Sequence, residues 1–210
     1  MSNNSKSKKN DININNFIKI ILIGESSVGK TSLISTYNGK KFEENTVTTL
    51  NFSSKKKEIT IDDIKYKVEI WDTDSQERYR SVSQIFIKGS QIVIFVYDIT
   101  KLDSFSQLSF WVNYIKELIS SDAVFGVVGN KIDLFEEKEE IVEEEEGRKF
   151  AKDIGALFTE TSAKENPKAF SDFINELLKK FISNRKETEK EWNRVSLMPN
   201  NNNNKKRHFC

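Results

Sequence analysis

Apolar residues in this chain fall into short unbroken runs separated by longer amphipathic stretches. Phe17 to Ile23 (FIKIILI), Gln91 to Tyr97 (QIVIFVY) and Ala123 to Gly129 (AVFGVVG) are short and apolar on both faces. Such runs are predicted to be buried strands of a parallel sheet. Ala156 to Phe158 is a weaker run of the same kind. Lys57–Ile61 and Lys65–Trp71 flank Asp62-Asp63 and read as paired strands around a turn. Helical patterns lie between these runs. Ser104–Ile119 puts Phe105, Leu108, Trp111, Val112 and Ile115 on one face, and Glu143–Ile154 and Ala169–Ile182 follow. A shorter helix is expected up to about Tyr37. Lys41–Ser54 has no clear period and reads as a long loop, which in a compact domain usually serves a function. Strands alternating with helices predict a three-layer α/β domain that binds its ligand at the carboxyl ends of the strands.

Composition narrows the classes. The chain has 210 residues, 37% hydrophobic and 31% charged, which suits one domain with a full core and solvated ends. The 33 basic and 32 acidic residues leave a net charge of +1, so no overall field argues for nucleic acid. No apolar run approaches the ~20 residues of a membrane span. Residues 1–16 are rich in Asn, Ser and Lys, lack a signal-peptide core and read as a disordered extension. Ser2 excludes N-myristoylation, and a cytosolic location is expected. The acidic run Glu136–Glu146 reads as a lead into a helix, since acids suit a helix's first turns. The single cysteine, Cys210, rules out a disulfide within the chain.

Chemistry first enters at GESSVGKT, which comprises Gly24, Glu25, Ser26, Ser27, Val28, Gly29, Lys30 and Thr31. This is G-x-x-x-x-G-K-[ST], placed after a strand-like run and opening a helix, the setting a phosphate-binding loop requires. Its backbone N–H groups and the helix dipole favour a polyphosphate. Lys30 would neutralise the β- and γ-phosphates, and the Thr31 hydroxyl would ligate Mg²⁺. NKID, Asn130 to Asp133, follows a buried strand, and Asp133 could accept two hydrogen bonds from guanine that adenine cannot offer. ETSAK, Glu160 to Lys164, would frame the base through Ser162, Ala163 and Lys164. In WDTDSQE, Asp72 would hold Mg²⁺ through water and Gln76 would orient an attacking water. An adenine-nucleotide enzyme fails on NKID and ETSAK. Trp71 and Trp111 read as packing residues, and His208, the sole histidine, sits in the polar tail.

With these motifs in order, the chain resembles a Ras-superfamily small GTPase, and within it the Rab family. The Rab signs are WDT with QERYRS (Trp71 to Ser81), FVYDIT, SFSQLSFW, VVGNKIDL and FTETSAK, covering roughly residues 16–182. The resemblance implies a P-loop GTPase domain at 17–184 with a mostly parallel six-stranded sheet and helices on both faces. A flexible tail would follow at 185–210. It implies that Phe42 packs edge-on against guanine, that Lys131 belongs to the base site and that Thr49 closes on Mg²⁺ and the γ-phosphate. The implied activity is Mg²⁺-dependent hydrolysis of GTP to GDP by a monomeric switch in vesicle traffic. Its partners would be an exchange factor, an activating protein and effectors, with no nucleic acid.

The chain departs from that pattern in several places, among them the first switch, where T-I-G-x-x-F becomes Thr49-Leu50-Asn51-Phe52-Ser53-Ser54, and the loop after Lys164, about three residues shorter than usual. The glycine of the family's DxxG element is Ser75, preceded by Asp74. The aromatic triad that effectors read becomes Ser54, Trp71 and Phe86. In the phosphate loop, Ser26 and Ser27 stand where the wider superfamily favours glycine. Cys210 lacks the paired cysteine usual for Rab prenylation, although Lys205, Lys206 and Arg207 could supply a second membrane signal. Asp74 and Ser75 leave a rival reading open: a nucleotide-binding interaction module with little hydrolysis.

Overall fold

The computed structural model describes residues 16–44, 53–73, 80–137 and 140–196. Six strands form one sheet in the order β2-β3-β1-β4-β5-β6. They are β1 (Phe17–Ile23), β2 (Ser53–Ile61), β3 (Ile64–Asp72), β4 (Ile92–Asp98), β5 (Val124–Asn130) and β6 (Leu157–Thr161). β2 pairs antiparallel with β3, while β3, β1, β4, β5 and β6 run parallel. The central strands follow their sequence pattern: every residue of β4 is buried, because helices cover both faces.

The helices are α1 (Lys30–Tyr37), α2 (Arg80–Ile87), α3 (Leu102–Ser106), α4 (Leu108–Lys116), α5 (Glu144–Ile154) and α6 (Pro167–Ser196). Two cores result. One lies between the sheet and α1 and α6, built on Ile20, Leu22, Ile70, Leu33, Phe170 and Leu177. The other lies between the sheet and α3, α4 and α5, built on Ile21, Phe95, Tyr97, Trp111, Ile115 and Ala151. The expected three-layer α/β architecture is therefore present.

Several boundaries differ from expectation, each for a physical reason. The expected helix over Ser104–Ile119 is divided into α3 and α4 at Gln107, yet Gln107 keeps helical dihedrals. Backbone bonds from Gln107 to Asp103 and from Trp111 to Gln107 carry the helix across that point. α2 was hidden because its anchors are tertiary: Ile87 is buried and Phe86 packs against Trp71 at 5.3 Å. β2 begins at Ser53, inside the expected loop, because Ser53 and Ser54 pair with Asp72 and Trp71. The acidic run does enter a helix: Glu143 caps α5 in a reciprocal capping box with Glu146, after a short 3-10 helix at Ile132–Glu137.

At the chain's two ends the structure extends past the expected domain limits. The Asn16 side-chain amide, assigned to the N-terminal extension, donates to the Lys65 carbonyl at 3.1 Å. α6 continues over 30 residues, beyond the boundary expected at 184. Its outer part carries exposed pairs such as Arg185–Glu189 (3.4 Å) and Lys186–Asp62 (3.2 Å), which leave no apolar period to read.

Candidate nucleotide site

All the motif loops that the structure describes leave the carboxyl ends of β1, β3, β5 and β6. Strand order reverses at β1, whose neighbours are β3 and β4, so the crevice there is a topological switch point. The loop Gly24–Gly29 joins β1 to α1. Its two glycines are required by close approach. A Cβ on Gly24 would stand 2.1 Å from the Val96 carbonyl oxygen, and one on Gly29 would stand 2.2 Å from the Asn130 amide nitrogen. Gly29 has φ +98° and Ser27 has φ 64°, which folds the backbone into a concave turn before α1. The first turn of α1 carries no acidic side chain, and no side chain caps it. That arrangement suits an anion at the helix start.

Lys30 is 5% exposed and reaches back across the loop, its ammonium donating to the Gly24 and Glu25 carbonyls at 2.8 Å each. A cation is thus fixed at the centre of the concavity. Beside it the Thr31 hydroxyl donates to the Asp72 carboxylate at 2.7 Å, with Asp72 only 3% exposed. Two hard oxygens so close together, at the mouth of a phosphate-binding loop, fit a small hard divalent cation such as Mg²⁺. The Thr73 hydroxyl donates to the Leu22 carbonyl at 2.7 Å and locks the end of β3 to β1.

The base-side motifs meet this loop through one side chain. The Asn130 amide donates to the Val28 carbonyl at 2.8 Å, and its oxygen accepts the Ala163 N–H at 3.3 Å. Asn130 is 1% exposed, so both bonds lie in a medium where breaking one leaves an unsatisfied group. Ser162 shapes its own loop: its hydroxyl accepts the N–H groups of Lys164 (3.1 Å) and Glu165 (2.9 Å). Asp133 lies on the half-exposed 3-10 helix just after Asn130. Lys131 has φ 71° and pairs through its ammonium with the buried Asp98 carboxylate at 2.7 Å. Phe42 is half-buried against the α1/α6 core.

Glu160, at the entrance to the Ser162 loop, carries a carboxyl held above its ordinary range. Burial is the main cause, and Glu144 and Glu143 add repulsion that Arg148 partly offsets. Burial likewise pushes Tyr97 up, with Glu160, Glu146 and Glu144 adding to it.

On the sheet's other edge the three triad positions do come together. Ser54 lies opposite Trp71 in the β2–β3 register, and Trp71 contacts Phe86. Where an aromatic would stand, the Ser54 hydroxyl donates to Glu69 at 2.7 Å. Lys19 lies over the Trp71 ring at 5.1 Å, its ammonium's pKa lowered by burial against the pull of Glu69. Thr49, Asp74, Ser75, Gln76 and Cys210 lie outside the described residues.

Two participants escaped the sequence reading. Trp111, taken as packing, donates its indole N–H to the Glu25 carboxylate in the phosphate loop at 3.1 Å. Asp98, at the end of β4, accepts from the Thr100 N–H (3.0 Å) and hydroxyl (2.7 Å) as well as pairing with Lys131. The polar Asp98 closing an apolar run was the available signal. Among the described residues no helix is long and apolar enough to cross a membrane.

Comparison with known proteins agrees with this geometry. Residues 19–183 match the model of the Ras family. The human Ras-related protein Rab-21 is 36% identical over 181 residues, covering 86% of this chain and 79% of that protein. Rab-2B of Dictyostelium discoideum is 36% identical over 169 residues, covering 79% and 83%. Human Rab-3D is 40% identical over 156 residues, covering 74% and 70%. With the phosphate loop, the Thr31–Asp72 oxygen pair and the Asn130 bridge all in place, the chain belongs to the Rab branch of the Ras family and is a small GTPase, a hydrolase of GTP.

Proposed function

We propose that this chain is a guanine-nucleotide switch regulating vesicle traffic. The observation that supports the reading best is the Asn130 amide, which joins the phosphate loop at Val28 to the base loop at Ala163. One rigid side chain thereby sets the distance between phosphate and base recognition. Lys30 neutralises the β- and γ-phosphates, and the loop N–H groups cradle them. Asp133 accepts the guanine N–H groups, Ser162 to Lys164 frame the ring, and Phe42 covers its edge. Thr31, Thr49 and Asp72 hold Mg²⁺, which neutralises charge on the phosphates when bound. Gln76 orients the attacking water. Little covalent work falls to the protein in phosphoryl transfer, so positioning carries the rate.

Calorimetric titration of nucleotide-free protein tests the base assignment. GDP and GTP should bind at least ~10³-fold tighter than ADP and ATP, because a site built for hydrogen bonds rejects a base that leaves it unpaired. Asp133→Asn should reverse the preference toward xanthine nucleotides. Comparable affinities for guanine and adenine would refute the assignment.

Asp74 and Ser75 favour slow intrinsic turnover as a second feature. A carboxylate near the γ-phosphate is repelled, and a Cβ where the backbone must approach closely is strained. Single-turnover phosphate release should be faster in Asp74→Ala/Ser75→Gly. Trp71 and Phe86 form the effector surface. A prenyl group on Cys210, helped by Lys205, Lys206 and Arg207, would hold the protein on the cytosolic face of a membrane. Mass spectrometry of protein from its native cell reads that modification directly.

A further inference from the structure

We propose that Asp98 is a positioning residue for guanine selection: its buried carboxylate anchors Lys131 and, through it, the turn that presents Asp133 to the base. The inference rests on the reading that Asp133 accepts the guanine N–H groups.

Asp133 is delivered by a turn that the chain does not adopt readily. β5 ends at Asn130, and Lys131 then takes φ 71°, a left-handed conformation that a lysine rarely occupies. The Leu134 N–H donates to the Lys131 carbonyl at 2.9 Å, which closes the first turn of the 3-10 helix carrying Asp133. A rotation at Lys131 therefore swings Asp133 with it. Asn130 is already pinned to Val28 and Ala163, so the freedom left to the turn is at Lys131 itself.

The end of β4 removes that freedom. Asp98 lies opposite Asn130 in the β4–β5 register, and the next N–H, that of Ile99, donates to the Asn130 carbonyl at 3.1 Å. The two oxygens of the Asp98 carboxylate divide their work. Oδ1 accepts the Thr100 N–H (3.0 Å) and hydroxyl (2.7 Å), which fixes the plane of the carboxylate. Oδ2 faces the Lys131 ammonium at 2.7 Å as an ion pair, and no hydrogen bond from another group competes for it. Asp98 is 1% exposed and the Ser104 hydroxyl accepts its N–H at 3.0 Å, so the anion cannot follow a moving lysine. A buried carboxylate is costly unless paired, and a neutral side chain would end the strand without that cost. What the charge adds is a fixed place for the Lys131 ammonium.

Inosine diphosphate (IDP) tests this, because it lacks the guanine 2-amino group and so forfeits one of the two hydrogen bonds assigned to Asp133. Affinities for GDP and IDP in Mg²⁺ should be measured by calorimetry on the nucleotide-free full chain. The proteins are the parent, Asp98→Asn, Lys131→Met and Asp98→Asn/Lys131→Met. The parent should prefer GDP by about 30-fold, the equivalent of one hydrogen bond to a charged acceptor. Asp98→Asn, which keeps the side chain's shape, should lower that preference to about threefold or less. Lys131→Met should lower it equally, and the double variant no further, since both changes release the same turn. The double variant leaves no buried charge unpaired at this pair and carries the test if Lys131→Met folds poorly. A purely structural loss would weaken GDP and IDP alike and leave their ratio unchanged. An unchanged ratio in Asp98→Asn, or a further fall on adding Lys131→Met, would overturn the proposal while the base assignment stands. A parent ratio near one would instead overturn that assignment, and this proposal with it.

Discussion

Among the described residues, two places hold residues other than glycine at positive φ, and they do so for different reasons. At the tip of the β2–β3 hairpin, Asp62 (φ 50°) and Asp63 (φ 61°) form a two-residue turn, with Ile61 facing Ile64 across it. At the nucleotide site the strained residues are Ser27 (φ 64°) and Lys131 (φ 71°). The hairpin conformation is demanded locally: strand twist selects a turn with both central residues left-handed, and Asp tolerates that region better than most. Nothing in the local sequence demands it of Ser27 or Lys131. Tertiary bonds around them do, through Asn130 to Val28 and Lys131 to Asp98. Strain that follows the chain is cheap and removable. Strain held by distant partners belongs to a site's geometry.

The largest test of this contrast is Lys131→Met, which keeps most of the stem but strips the cation from an Asp98 that is 1% exposed. Urea unfolding should show a loss of about 2–3 kcal/mol, below the full range for buried pairs because Lys131 is partly wet. A loss under ~0.5 kcal/mol would mean the pair does not hold the strained backbone.

Ser27→Gly should act in the opposite direction. Relief of the left-handed penalty should raise the stability of the GDP-bound protein by about 1 kcal/mol in thermal unfolding. A fall would show that the serine side chain contributes a contact outweighing its backbone cost.

Asp62→Asn/Asp63→Gly matches the turn's preferred residues and should add about 0.5–1 kcal/mol by lowering the turn's strain. The exposed Lys186–Asp62 contact is lost at little cost. Guanine-nucleotide affinity should not move. If it did, the hairpin and the site would be coupled and the contrast between them would weaken.

The smallest effect concerns Glu160, which borders the base loop without backbone strain. Its folded pKa lies above the ordinary 4.5, so folding favours the neutral acid. That favourable contribution is full at low pH and is lost as pH rises from about 4.5 through the folded value. Glu160→Gln should therefore stabilise the protein at pH 7 by a few tenths of a kcal/mol, screening considered, and have no effect near pH 4. Denaturation midpoints at the two pH values check this. An equal effect at both would assign the change to packing.

The sequence alone determined whatever a short contiguous stretch can encode. The strands β1, β4 and β5 were legible because burial on both faces demands unbroken apolar runs. The phosphate loop, NKID and ETSAK were legible because each motif's geometry needs fixed residue types at fixed spacing. The tertiary structure decided the rest. α2 is held to the sheet by Phe86 against Trp71 and by its buried Ile87, and β2 starts at Ser53 because β3 is there to pair with it. Asn130 meets Val28 across 102 residues, and Trp111 meets Glu25 across 86. Such contacts leave no period and no local composition in the chain. They exist because a parallel sheet brings the ends of distant strands to one edge, and only the packed layers decide which side chains face each other there.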